Sequence, residues 1–202
     1  MNIVIENKGI KTDSFYVPAF VLLESEVVVL YLFGGGYYYD TEMFLKDIFC
    51  GNIKHENVTT NKRMMFVDYF RESNFRDVFF PSKVNRYVKK DADLTNPFLV
   101  KLFEDKYVTR ETKMNNLGGT QRKLISLYVA FSKTKDIIFD LAGLDHQGAE
   151  LTFNLVKEAV KNGGSAILLD NFPDMKEHAS KYIQLEWNKD KLPPTKEFKF
   201  NL

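Results

Sequence analysis

Cysteine is almost missing from this chain. One residue in 202, Cys50, leaves no intrachain disulfide and no cysteine cluster for a metal, and it suits a reducing compartment. Long apolar runs are missing too. The longest, Val27–Phe33, spans about seven residues against the ~20 that a membrane-crossing helix needs. Net charge is nearly absent, with 28 Lys+Arg against 27 Asp+Glu for a formal +1, which removes any general electrostatic case for nucleic acid. Three histidines, His55, His146 and His178, lie far apart, without i,i+4 pairing and without a carboxylate at ligand spacing. They read as solvated or structural. Residues Met1–Ile10 carry Glu6 and Lys8 and no apolar stretch, so no secretory signal is expected there, and the Asn57-Val58-Thr59 acceptor pattern carries no weight. The chain reads as a soluble cytoplasmic protein.

Hydrophobic residues make up 45% and charged residues 27%, the composition of one globular domain over residues 1–202 with a substantial core. Aromatic residues reach 14%, and many fall outside a clean core pattern, as in Tyr37-Tyr38-Tyr39 and around Phe66, Tyr69, Phe70, Phe75, Phe79 and Phe80. They fill a core with large rings or form a partner surface. Cys50, at the end of an apolar helix, reads as a small buried hydrophobe.

Strand and helix patterns alternate along the chain. Ile3–Ile5 and Phe20–Leu23 are short strands, and Glu26–Phe33 is apolar on both parities, which predicts a strand buried on both faces. It runs into Gly34-Gly35-Gly36. A helix follows, with Met43, Phe44, Ile48 and Phe49 at helical spacing, Asp40 as its N-cap and Gly51 as its stop. Strand, glycine loop, helix is the layout of a phosphate-binding unit. Met64–Tyr69 is the next strand, and residues 70–113 have mixed helical character. Thr120 is expected to cap an amphipathic helix bearing Leu124, Leu127, Tyr128 and Phe131 on one face. Asp136–Asp140 and Ser165–Asp170 are buried strands ending in acids, separated by a helix over Glu150–Asn162. The tail from Lys181 to Phe200 reads as two edge strands split by Pro193-Pro194, with a solvated turn at Lys189-Asp190-Lys191. This order predicts an α/β domain whose central sheet is mostly parallel.

The stretch from Asn115 to Phe172 resembles the second half of an ABC-transporter nucleotide-binding domain. Asn116-Leu117-Gly118-Gly119-Thr120 sits where that family carries its signature, with Gln121-Arg122-Lys123 behind it. Asp136–Asp140 is similar to the Walker B strand, and Ala142-Gly143-Leu144-Asp145 to the D-loop. In the first half, Glu24-Ser25-Glu26 resembles the turn before the first core strand, Gly34–Thr41 the Walker A loop, and Phe66–Tyr69 the Q-loop strand. The resemblance implies a P-loop NTPase-like sheet flanked by helices, a helical subdomain over about residues 70–113, and peripheral antiparallel strands from the two ends of the chain.

Departures from the family pattern cluster at its chemistry. Aligned from Gly34, the phosphate-binding lysine becomes Asp40 and the Mg²⁺-ligating hydroxyl is Thr41; aligned back from Gly51, those positions hold Glu42 and Met43. Either register puts an acid where a cation belongs. The Q-loop glutamine falls on Asp68 or Tyr69, the acid after Asp140 is Leu141, the H-loop histidine is Asp170 or Asn171, and the signature serine is Leu117. The resemblance therefore implies a non-catalytic subunit without a cofactor. It would act by protein contacts with a membrane permease or, as a homo- or heterodimer, with a second nucleotide-binding domain, and so peripherally at the inner face of the membrane. Leu117, Gly118, Gly119 and Asp145 would form the dimer contact. The alternative is an ATP-binding subunit with a degenerate or composite site, in which Gly34, Gly35, Gly36, Asp40, Thr41 and Asp140 still hold Mg²⁺ and ATP. A scaffold that binds something other than a nucleoside triphosphate also stays open.

Overall fold

A computed structural model describes residues 2–33, 37–70, 82–104, 108–161, 163–188 and 190. The Gly34-Gly35-Gly36 loop, Phe75, Phe79, Phe80 and the tail beyond Asp190 lie outside the described residues. Eleven strands are described: β1 (Ile3–Asn7), β2 (Ile10–Lys11), β3 (Phe15–Val17), β4 (Phe20–Leu23), β5 (Val27–Tyr31), β6 (Val58–Thr60), β7 (Met65–Phe66), β8 (Asp136–Phe139), β9 (Ser165–Asp170), β10 (Lys181–Gln184) and β11 (Glu186–Trp187). The helices are α1 (Tyr38–Phe49), α2 (Val84–Asp91), α3 (Gly119–Lys133) and α4 (His146–Val160), with 3-10 segments at Pro97–Glu104, Met114–Asn116 and Lys176–His178.

Strand β5 has no polar residue, so it sits inside the sheet. The order β10-β5-β9-β8-β7 is parallel throughout, with Val28 opposite Ile167 and Ile138 opposite Ile167 from the other side. The three apolar runs over Glu26–Phe33, Asp136–Asp140 and Ser165–Asp170 thus lie side by side, in the mostly parallel sheet that their pattern predicts. Period-two alternation then splits β5 between two cores. Val28 and Leu30 meet Leu45, Ile48 and Phe49 of α1 on one face, while Val27 and Val29 join the cluster of Leu127 and Phe131 from α3 and Phe153 from α4 on the other. Two antiparallel sheets, β4-β1-β6 and β11-β3-β2, cover the α1 side. A third cluster joins Val84 and Val88 of α2, Leu99, Leu102, Met114 and Leu117 to Ile125 and Val129 on the outer flank of α3. The carboxy-terminal strands divide their allegiance: β10 extends the parallel sheet beside β5, and only β11 pairs antiparallel, with β3.

Helix boundaries correct several expectations. Asp40 does not cap α1. The N-cap is Tyr37, without a side-chain hydrogen bond, and Asp40 lies in the first turn, where its charge still faces the positive end of the helix dipole. The far end behaves as expected: Gly51, at φ 74°, donates to Ile48 O, and Asn52 donates to Asp47 O, the paired bonds of a Schellman stop. Thr120 does not cap α3, whose N-cap is Gly118. Its hydroxyl instead presses on Gly148, where an added Cβ would lie 2.2 Å from Oγ1, so the crossing of α3 and α4 needs a glycine there. Helix α4 starts four residues earlier than its apolar spacing suggests, because Asp145 caps it by accepting from Gly148 N at 2.7 Å. Leu124 is only half-buried, since α3 is packed on more than one side.

The turn into β5 is tied down by charge. Glu26 accepts from Leu23 N at 3.0 Å and from Lys181 Nζ at 2.7 Å, and Lys181 also donates to Val21 O at 2.7 Å, joining β10 to the turn. Ser25 there holds φ 66°, a region that costs a residue with a Cβ about 1–2 kcal/mol. Ser25→Gly is expected to raise stability by about 0.5–1 kcal/mol in urea denaturation, the relief exceeding glycine's added entropy in the unfolded chain.

Candidate functional site

In an open parallel sheet the carboxyl ends of the strands converge on one edge, and ligands bind there. Here Asp140 directly follows the last residue of β8, β9 ends at Asp170, and β7 runs on through Val67 to Asp68 and Tyr69, while the first turn of α1 lies over them. Between these elements opens a cleft of about 600 Å³, lined by Tyr38, Tyr39, Glu42, Met43, Phe66, Asp68, Tyr69, Asp140, Ala142 and Gly143.

Asp140 forms the floor, and both its oxygens are committed. Oδ1 accepts from Ala142 N at 2.9 Å, and Oδ2 accepts from Lys123 Nζ at 3.1 Å. Lys123 comes from α3 and is 0% exposed; its ammonium also donates to Val67 O at 3.1 Å. Removing a lysine entirely from water needs partners of this kind, and the pair locks α3 to the ends of β7 and β8.

Glu42 faces this pair from α1. It is 4% exposed and makes no ion pair among the described residues. Burial first, then the Asp140 carboxylate, pushes its carboxyl up to about 7, while Lys123 and Lys46 pull the other way and Asp68 adds to the rise. The Tyr38 hydroxyl donates to Leu169 O at 3.4 Å, and its phenol is pushed far up by burial and then by Glu42, Asp140 and Asp170. Asp170 is pushed up to about 6, again chiefly by burial, although hydrogen bonds from the Phe172 and Asn171 backbone oppose the shift.

This geometry sorts the residues expected from the sequence. Of the two registers, Glu42 faces Asp140. Asp40 and Thr41 turn instead to a separate cleft of about 240 Å³ lined with Ser14, Phe15, Tyr37, Phe44 and Trp187, so they do not share a site with Asp140. Gly34, Gly35 and Gly36 fall outside the described residues. Leu117, expected to meet a partner subunit, is 6% exposed and packs into the α2 cluster, so its side chain is not available for that contact. Gly118 is exposed at the start of α3, and Gly119 permits a close internal approach: an added Cβ would stand 2.9 Å from Gly143 O. Asp145 is exposed and serves as the cap of α4. His146 departs from the reading that no carboxylate stands at ligand spacing from a histidine, since Glu150, four residues on, lies 3.8 Å and Asp174 3.7 Å from its ring nitrogens. Even so, no group of three such side chains among the described residues is arranged to hold a metal.

Lys123 is the functional-site residue that sequence reasoning passed over. Its signal was present, because Lys123 shares a helical face with Leu127 and Ala130, and a lysine on an apolar stripe needs a buried acid.

No protein-family model matches the sequence, and no curated protein matches it. Solved structures do match. A protein described as a metal-chelate-type ABC transporter, in an inward-facing conformation, superposes with a TM-score of 0.67 at 17% identity over 92% of this chain and 83% of that one. A nucleotide-free ATP-binding cassette from an ABC transporter gives 0.60 at 15% identity, over 91% and 90%. The cbiO1 protein of Clostridium perfringens, part of the transporter complex cbiONQ, gives 0.61 at 13% identity, over 92% and 86%. The chain has the ATP-binding-cassette fold. The cleft therefore lies in a scaffold of the kind seen in those three solved structures. No helix among the described residues is long and apolar enough to cross a membrane.

Proposed function

We propose that this cassette is a non-catalytic subunit, acting by contact with a permease or with a second nucleotide-binding domain, identical or different, at the inner face of the membrane. Glu42 carries the reading. A nucleotide phosphate needs a cation at the mouth of the cleft, and no cation is among the described residues that line it. Lys123 lies beneath, held by Asp140 and Val67 O. An ionised acid about 4 Å from a phosphate costs ~4 kcal/mol at an effective dielectric near 20, and the missing lysine removes a similar favourable amount. Leu141, which follows Asp140, is buried and apolar and cannot polarise an attacking water. The residues present thus do not suit Mg²⁺ and ATP. Leu94 and Val100, exposed on the stretch between α2 and α3, supply apolar surface for a partner.

Calorimetry with Mg-ATP tests the reading. No saturable heat up to millimolar nucleotide, and no phosphate release above a buffer blank, is the expected result. A micromolar dissociation constant for the protein alone overturns it, and so does binding that appears only with an intact partner cassette, which would mean a composite site.

A further inference from the structure

The cleft is not merely unsuited to phosphate; its walls have a positive chemical preference. Glu42 is a carboxyl almost wholly removed from water that has no cation of its own among the described residues. The described cations that act on it are held elsewhere: Lys123 by Asp140 and Val67 O, and Lys46 by Asp47 at 3.5 Å and by the ring of Phe66 at 5.5 Å. An acid that served only the packing of α1 would be paired or replaced by an apolar group. Around it stand aromatic rings, whose faces attract cations and repel anions. A divalent metal would need several converging oxygen ligands, and the described residues offer no such group. At about 600 Å³ the space also exceeds what one ion fills and lies in the range of organic ligand sites.

We propose that this cleft binds an organic cation, an alkylammonium or guanidinium group set against Glu42 in the space lined by Tyr38, Tyr39 and Tyr69, with Asp68 at the rim. The inference rests on the reading that nucleotide does not occupy the cleft. The cation comes from a free polyamine or from a lysine or arginine side chain of a partner, and the chemistry is the same. Binding requires the ionised form of Glu42. The charged and titratable groups facing it are Tyr38 and Lys46 of its own helix, Asp140 at the end of β8, Lys123 of α3, and Asp68 after β7. With Glu42 titrating near 7, about a tenth of it is ionised at pH 6 and about nine-tenths at pH 8. The amine stays protonated across that window, so affinity rises roughly tenfold from pH 6 to pH 8.

Calorimetric titration of the full chain with spermidine, and separately with N-acetyl-arginine amide, tests this at both pH values in low salt. At least one probe should bind saturably at pH 8, with a dissociation constant on the order of 0.1–1 mM. Glu42→Gln should weaken that binding at least tenfold and abolish its pH dependence, and Asp68→Asn, at an exposed position, should weaken it about two- to fivefold. Glu158→Gln, on the exposed face of α4, should change nothing. Binding of spermidine alone supports a free polyamine, and binding of the arginine probe alone supports a partner's side chain. No saturable binding of either probe to 10 mM, or unchanged affinity in Glu42→Gln, overturns the proposal. Mg-ATP titrated in parallel separates the two readings: nucleotide binding without amine binding defeats both, and silence with both ligands defeats only this one.

Discussion

Lys123→Met is expected to destabilise the fold by about 3–5 kcal/mol, because it strands Asp140 as an unpaired acid with its side chain almost out of water. For a chain of this length that is a fall of roughly 10–15 °C in melting temperature. Methionine keeps most of the volume, so the loss reports charge rather than a cavity. Asp140→Asn should cost a similar amount, since it leaves the fully buried ammonium with Val67 O as its only strong acceptor. The double variant Lys123→Met/Asp140→Asn should lose far less than the sum, because both desolvated charges leave together. Thermal melts of the three variants decide the matter. Additive losses would show that the two groups are stabilised independently, and the pair would then not be what fastens α3 to the ends of β7 and β8.

The difference between what the sequence discloses and what it hides follows the physics of each segment. Strands β5, β8 and β9 are legible because both faces are apolar, and such runs have one stable place, the middle of a parallel sheet. The Gly51 stop is equally plain, since a left-handed φ at a helix end demands glycine or nearly so. The site is harder because its residues break the pattern they sit in. Glu42 lies on the buried face of α1 with Leu45, Ile48 and Phe49, a placement that helical phase alone distinguishes from Asp40. Two glycine landmarks, Gly34 and Gly51, suggest different registers, and the packing of α1 on the sheet turns Glu42 rather than Asp40 toward Asp140. Lys123 is a charge inside an apolar stripe, so its partner across the sheet edge is a long-range fact that spacing cannot supply. Leu117 failed in the other direction. An apolar residue beside two glycines reads as a contact for another subunit, yet the cluster around α2 needs it inside.

Glu42→Gln is expected to stabilise the protein at pH 8 by about 2 kcal/mol and at pH 5 by only about 0.5 kcal/mol. The sign follows from proton linkage. The folded state holds the Glu42 proton up to about 7, against an ordinary carboxyl value of 4.5 in an unfolded chain, so between those values the folded state binds more protons. Stability therefore rises as pH falls through 7, is fully present below 4.5, and is lost again as pH climbs. A shift of that size corresponds to about 3 kcal/mol, and water at the mouth of the cleft screens it to about 2 kcal/mol. Asp170, held up at about 6 against 3.8, adds a shallower trend of the same sign. Glutamine keeps the shape of Glu42 and removes its charge, so urea denaturation of the variant from pH 5 to 8.5 should lose the larger part of the slope and keep the part due to Asp170. Equal or lower stability than the parent at pH 8 would mean that Glu42 is already compensated within the chain, and both the anion-repelling cleft and its preference for a cation would fall with it. A gain would show the fold carrying an acid that weakens it at neutral pH, at the edge where such sheets bind ligands, and a charge of that kind is explained by what it meets there rather than by folding.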